Sequence, residues 1–525
     1  MRSLADIAAR LDDALNPIAV KELRRAFRMQ TITAILLLFL VGSLVVVGVS
    51  VLKRDSSDFS TSAGRQAFLI LYGGLVVTCI LLLPVHVASR MAIDRARLAD
   101  DLFRMTAMRA RSIIWGRLSA GLILVVFIYS ACAPFLVFTT LLRGIDFRSV
   151  LLLLLLALLA SAVVMQMYIF FACLPLPRQV VGVLGLIAAG TSFSAISLLI
   201  AFAVGMTEGR LTGYGAGQEL WIVIAIMVFF GILEVGFFLV LSVALISPRA
   251  ANRAVPVRLY ISAMWVLTFG IVAVQSLRTR GLAVVLIWMF ANVCLLAVAL
   301  CVAVGERDRY GSRVLRQIPR GGWARLFAFP FFSGAANGVT WSVIMMALTI
   351  IAGSLWSAHF GRVWYGPDYD DLRLLDFPQY LTISKGLALQ AIAYALTALF
   401  IRRRFLPKAR KSITWGVLAA IIAATFVLPV IGALTTPRMS AYPTQRLGAW
   451  YVASPVGLTN PYEEYRATTI AVAAAWAAVM FVYNLSWLTE RMRAFGRYKP
   501  ANDRAPVEAA REAAADAGSP DASPS

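Results

Sequence analysis

Apolar runs long enough to cross a bilayer recur twelve times along this chain, and no other feature limits its fold as tightly. They lie at approximately 30–52, 67–89, 113–142, 149–173, 180–205, 219–246, 258–275, 281–304, 333–355, 380–401, 412–435 and 467–488. Roughly 20 apolar residues in a helix span about 30 Å of hydrocarbon. The expected fold is an all-α polytopic membrane protein with about twelve transmembrane helices. The run at 113–142 exceeds one straight crossing and is expected to tilt, or to break near Pro134.

Composition agrees. Hydrophobic residues make up 60% of the chain and charged residues 14%, with a mean hydropathy of +0.78. A soluble domain carries about 25% charge, so the bilayer is the solvent for most of this sequence. A net charge of +22 would point to nucleic acid in a soluble protein. Here the basic residues fall between apolar runs, where membrane lipids explain them and nucleic acid is not expected. Of the 49 Lys and Arg residues, 35 fall on one side of a twelve-span alternation. The positive-inside rule makes that side cytoplasmic, with both termini on it, and the expected location is the cell (inner) membrane. The opposite loops hold most of the loop acids, including Asp368, Asp370, Asp371, Glu463 and Glu464. The first apolar run is too long for a signal peptide and lacks a small-residue cleavage site. Cys79, Cys132, Cys173, Cys294 and Cys301 lie inside apolar runs without CxxC spacing, and read as small core residues rather than ligands or disulfides. Two histidines are too few for a histidine-based metal site.

In order, the chain divides into amphipathic segments at 1–29, a six-helix half at 30–246, a linker at 247–257, a second six-helix half at 258–488 and a polar tail at 489–525. The tail is rich in Ala, Asp, Glu, Ser and Pro from Pro500 and is expected to be disordered. Each half places its longest basic loop between its second and third runs, at 90–117 and 305–332. Near the N-terminus, Leu4, Ile7, Ala8, Leu11 and Leu15 mark one helical face, and Asn16-Pro17 offers an N-cap followed by a proline at the first helical position. Beyond it Lys21, Arg24, Arg25 and Arg28 share one side, while Val20, Leu23 and Phe27 share another, as in a helix lying on the membrane surface.

The stretch 90–117 is too charged to enter the bilayer. Asp94, Arg97, Asp101 and Arg104 form a stripe of alternating sign at helical spacing, beside Met91, Leu98, Leu102 and Met105, with Ala99 and Phe103 further round the apolar arc. Such a helix is either a connector on anionic headgroups or a docking element for a soluble partner. Glu234 sits at the centre of the sixth run, in FFGILEVGFFL. A carboxyl there is costly, and is either a pathway residue or a neutral packing residue. His86, at the inner end of the second run, reads as a core or interface histidine rather than a ligand, and the outer loop 356–377 as a solvated lid or the lining of a carbohydrate or lipid-headgroup site.

NPIAVKELRRAFR before the first run, and LADDLFRMTAMRARSIIWGRLSAG leading into the third, resemble the permease subunit of type 2 ABC transporters. Leu102, Thr106, Ile113, Gly116 and Arg117 match a phrase of that family, with Ala107 where it often has Pro and Arg117 where it often has Lys. The resemblance implies an elbow helix containing Lys21, Glu22, Arg24, Arg25 and Arg28. It also implies a coupling helix within 90–112 that docks on an ABC ATPase, with Leu98, Leu102, Phe103 and Met105 as the apolar anchor and Asp101, Arg104 and Arg109 as its polar surround. No G-x-x-x-x-G-K-[ST] stretch occurs in the chain, so ATP and Mg would be bound by a separate ATPase subunit. A second permease chain or an extracytoplasmic subunit are further partners the family admits. The expected function is then an export permease rather than an enzyme. Two other classes compete. A polytopic enzyme, such as a lipid-linked glycosyltransferase, would use Asp368, Asp370 or Asp371, but should place paired acids at the membrane surface. An ion-coupled carrier would use Glu234, but the second half offers only uncharged Gln275, Asn292, Gln390 and Asn484 and no counterpart to it.

Overall fold

A computed structural model describes residues 16–28, 30–52, 62–96, 109–142, 145–175, 178–209, 217–248, 251–306, 312–315, 317–319, 321–365, 377–407, 413–435, 451–459 and 463–497. Among these residues the protein is helical, without strands, and eleven helices are long and apolar enough to cross a membrane. That is one fewer than the sequence predicts. The difference lies at the first run, which is nonetheless a 23-residue helix, Gln30–Leu52, whose side chains are described only in part. The chain forms two compact units, Met1–Pro248 and Arg249–Ser525.

In the first unit, α1 (Pro17–Phe27) is followed by α2 (Gln30–Leu52), α3 (Ser62–Val77) and α4 (Leu83–Ala96). A π-helical turn, Thr78–Leu82, joins α3 to α4 inside one span. Pro84 has no N–H to give the carbonyl four residues back, and the wider turn absorbs the missing bond. Then come α5 (Ala110–Leu141), α6 (Phe147–Cys173), α7 (Arg178–Thr207) and α8 (Gly217–Ile246). Pro134 does not break α5, which runs on for 32 residues. Proline within a helix is tolerated more readily in a membrane span than in a soluble helix. The core draws Phe68, Tyr72 and Leu75 from α3, Ile80 from the π turn, Leu118 and Ile128 from α5, and Leu153 and Met165 from α6. Between apolar helices in lipid, close packing and interhelical hydrogen bonds replace the hydrophobic drive. Tyr72 accordingly donates to the Leu153 carbonyl at 3.2 Å, and the Gln166 amide to the Ser242 hydroxyl at 3.2 Å.

The second unit comprises α9 (Ala254–Thr279), α10 (Ala283–Val304), α11 (Ser312–Leu315), α12 (Gly322–Ala328), α13 (Ala335–Tyr365), α14 (Phe377–Phe405), α15 (Ile413–Thr435) and α16 (Glu463–Arg497). Indole N–H groups tie it together, each donating to a hydroxyl on another helix. Trp265 reaches Thr349 at 2.8 Å, Trp288 reaches Thr268 at 2.9 Å, Trp356 reaches Ser276 at 3.1 Å and Trp476 reaches Thr397 at 2.9 Å. Away from water an unpaired indole N–H is costly, so each pair fixes a helix register. At the foot of α9, buried Arg258 pairs with Glu306 at 2.5 Å and also donates to the carbonyls of Pro330 and Phe332. Glu306 in turn accepts the Gly334 backbone N–H at 2.7 Å. Gly338 leaves the space Arg258 occupies, since a Cβ there would lie 2.5 Å from its Nη2. α16 continues past the expected end at 488 to Arg497, with Phe495 buried edge-on against Phe329 and Phe332.

Candidate functional site

The site is built where α1 lies on the first turns of α5. Asn16 does two jobs there. Its side-chain oxygen accepts the Ile18 N–H at 3.1 Å and caps α1, and its amide donates to the Ser112 carbonyl at 2.5 Å and the Ser112 hydroxyl at 3.0 Å. Pro17 follows at the first helical position, as the sequence predicts. Gly116 lets the two helices meet: a Cβ there would stand 2.9 Å from Asn16 Nδ2 and 3.0 Å from Ile18 Cβ. One residue on, Arg117 is buried and faces Glu22 at 3.9 Å. Phe27 meets Phe127 edge-to-face, with ring centroids 5.2 Å apart.

The face that α1 turns inward differs from the sequence expectation. Ile18, Ala19 and Ala26 are buried, Glu22 and Arg25 are half-buried, and Lys21, Arg24 and Arg28 stay exposed. Val20 and Leu23 are only half-buried and Phe27 is exposed. The four basic residues therefore do not act as one solvated stripe, because Arg25 is drawn in beside Glu22. A signal for this existed in the sequence. Arg117 lies inside an apolar run, and a charge at that depth requires a partner.

Behind the pair lies a cavity of about 30 Å³ lined by Glu22, Arg25, His86, Arg90 and Arg117, with Val87 and Leu124 as apolar walls. It gathers residues from α1, α4 and α5. His86, read from the sequence as a core or interface histidine, is half-buried and faces this cavity.

Of the remaining expected site residues that are described, Arg109 and Glu234 are not gathered there. Leu98, Asp101, Leu102, Phe103, Arg104 and Met105 lie outside the described residues, as do the outer acids Asp368, Asp370 and Asp371. Arg109 is exposed at the start of α5, its carbonyl accepting the Ser112 N–H at 2.9 Å. Glu234 is exposed on the surface of α8, whose inward residues Gly231, Phe238 and Ser242 meet α6 instead. Among the described residues, no hydrogen bond or ion pair reaches it.

Among the described residues no group of three or more His, Cys, Asp or Glu could hold a metal ion, and the five cysteines are free. The joint carries no nucleophile–base pair. What it can do is mechanical and electrostatic: it fastens an amphipathic helix to the base of α5 and encloses basic groups beside it. No family model, curated protein or solved structure matches this chain.

Proposed function

We propose that this chain is the membrane-spanning permease of an ABC exporter, driven by an ATPase on a separate polypeptide. In this reading it forms the translocation path from two six-helix halves, with both termini in the cytoplasm of the cell membrane. ATP and Mg bind the partner and not this chain. One observation carries the reading. Gly116 and Arg117, two residues of the family-like phrase, are those that receive Asn16 and Glu22 of the elbow helix. The stretch 97–108 leads directly into Arg109, and α1 grips α5 within its next two turns. A displacement of that loop would move α1 and α5 together, as coupling to an ATPase requires.

The test is affinity purification of the full chain from its native membranes, with mass spectrometry for a co-purifying polypeptide that carries G-x-x-x-x-G-K-[ST]. Truncating a central apolar anchor costs about 2 kcal/mol or more, roughly thirtyfold in affinity. Leu102→Ala with Phe103→Ala should release the ATPase while the chain inserts in normal amount. Arg109→Ala should weaken the complex less, and more at low salt than at high, because an exposed charge acts through screened attraction. Retention of the ATPase by the double variant would move the docking site to 305–332. Retention after both loops are altered would sink the permease reading.

A further inference from the structure

Gln390 of α14 is buried, with 1% of its surface exposed, and neither end of its amide has a hydrogen-bond partner among the described residues. Turning the amide end for end does not help, because oxygen and nitrogen are both unmatched. An unpaired amide away from water is costly, and such groups are normally completed by ordered water or by a ligand.

What α14 faces at this point is irregular backbone. Gly386, Gln390, Tyr394 and Thr397 stand four, four and three residues apart, so they share one side of the helix. A Cβ on Gly386 would collide with Leu458, Tyr394 donates its hydroxyl proton to the Ala453 carbonyl, and Thr397 accepts the Trp476 indole of α16. Ala453 and Leu458 belong to the stretch Tyr451–Thr459 between α15 and α16, which ends in a short 3-10 helix, Pro455–Thr459. The span of α14 starts at Gln379, and at roughly 1.5 Å per residue Gly386 and Gln390 lie about 10 and 16 Å along it. Long helical side chains lean toward the helix N-terminus, so the Ala453 carbonyl beside Tyr394 lies near the level of Gln390. The stretch therefore dips toward the middle of the span from the face at which α14 starts. Non-helical backbone at that depth persists only where protein buries it or where it lines a watery path. Burial holds part of it: Ser454, Gly457 and Leu458 are enclosed, and a Cβ on Gly457 would lie 2.8 Å from Thr469 Oγ1 of α16. Burial leaves Gln390 unmatched, and no charged residue stands on its side of α14, so the missing group is neutral.

We propose that Gln390 and the stretch Tyr451–Thr459 form a polar site inside the second unit, which binds a neutral hydrogen-bonding group: water, or the hydroxyl or amide of a solute. Such a site is independent of how transport is driven, and its test needs no ATPase. Full-length protein in nanodiscs is given a short X-ray pulse, which converts bound water into hydroxyl radicals that mark adjacent side chains, and the marks are read by mass spectrometry. Tyr394 and Leu458 should be marked although both are buried. Gln390→Leu, which removes both polar ends, should lose these marks, whereas Gln275→Leu should keep them. No marks at Tyr394 and Leu458 in the wild type, marks unchanged in Gln390→Leu, or equal marking of buried Trp341 elsewhere in the unit would overturn the site. Should Gln390→Leu fail to insert, the wild-type pattern against Trp341 decides alone. Acrylamide, a small neutral amide that alkylates thiols in water, then separates the two sources on Gln390→Cys in a chain freed of its five native cysteines. Reaction there, with none at Ala398→Cys in the apolar cluster of the same helix, means that the site admits solutes. No reaction beside a marked Tyr394 means that it holds water alone, and both results keep the site.

Discussion

Gly116 carries no side chain at the point where Asn16 and Ile18 cross α5, and the fit there is tight enough to test. Even one Cβ would come within 2.9 Å of the Asn16 amide, which itself holds Ser112. Gly116→Val adds two further methyl groups and cannot be accommodated without moving α1. Overpacking of this kind costs about 1–3 kcal/mol. We expect a lower melting temperature together with faster proteolysis within 16–28. An unchanged melt and an unchanged digest would mean that α1 is not held at this point. Glu234 invites a different measurement. Its exposure on the surface of α8, in the middle of an apolar segment, predicts modification by a carbodiimide that partitions into hydrocarbon and none by a water-soluble one. Glu234→Gln supplies the blank. Reaction with the water-soluble reagent would place the carboxyl on an aqueous path and favour the ion-coupled class of transporter.

Single contacts of this sort become consequential through the helices they begin or join. Asp146 starts α6: its carboxylate accepts the Ser149 N–H at 3.1 Å and the Ser149 hydroxyl at 2.6 Å. Burial pushes its pKa up, but these hydrogen bonds outweigh that and hold it below the ordinary aspartate value. A depressed folded-state pKa means stability that is present above the unfolded value and lost as pH falls through the folded one. Removing an N-cap costs about 1 kcal/mol. Asp146→Ala should therefore melt below the wild type at neutral pH, and the two should converge in acid as the wild-type carboxyl protonates. A gap that persists at the lowest pH would assign the loss to something other than the charged cap. In the second unit the comparable device is Arg258, which joins α9 to Glu306 and to the chain at Pro330 and Phe332. It ties the end of α10 to the turn that precedes α13.

At the scale of the whole chain the open quantity is orientation, which the distribution of charge predicts and a reporter can read. A reporter active only outside the cytoplasm should work when fused after Ser56, Gly213 or Asp371. It should be silent after Asp100, Arg313 or Lys408. Of the 49 basic residues 35 lie on one side, and anionic leaflets and the insertion machinery hold such an excess inside. Activity at Asp100 would invert the chain and place the stretch 90–117 beyond the reach of any cytoplasmic ATPase. Silence after Ser56 alone would instead bear on whether α2 crosses the membrane.

The sequence by itself determined that this is a helical, multi-pass membrane protein, because the length of an apolar run against the thickness of hydrocarbon is a one-dimensional test. It also marked the start of α1, since Asn16-Pro17 acts through the next two residues of the same chain. Only the tertiary structure decided which side of α1 turns inward. Periodicity grouped Arg25 with Lys21, Arg24 and Arg28, whereas burial depends on Arg117 and Gly116, which folding brings beside it. The same holds for the tryptophan–hydroxyl pairs and for the continuity of α5 through Pro134. A tryptophan or a proline in an apolar run announces an N–H to satisfy or one that is missing. Which distant group answers it is settled by how the helices pack, and that information is spread along the chain rather than held in any one stretch.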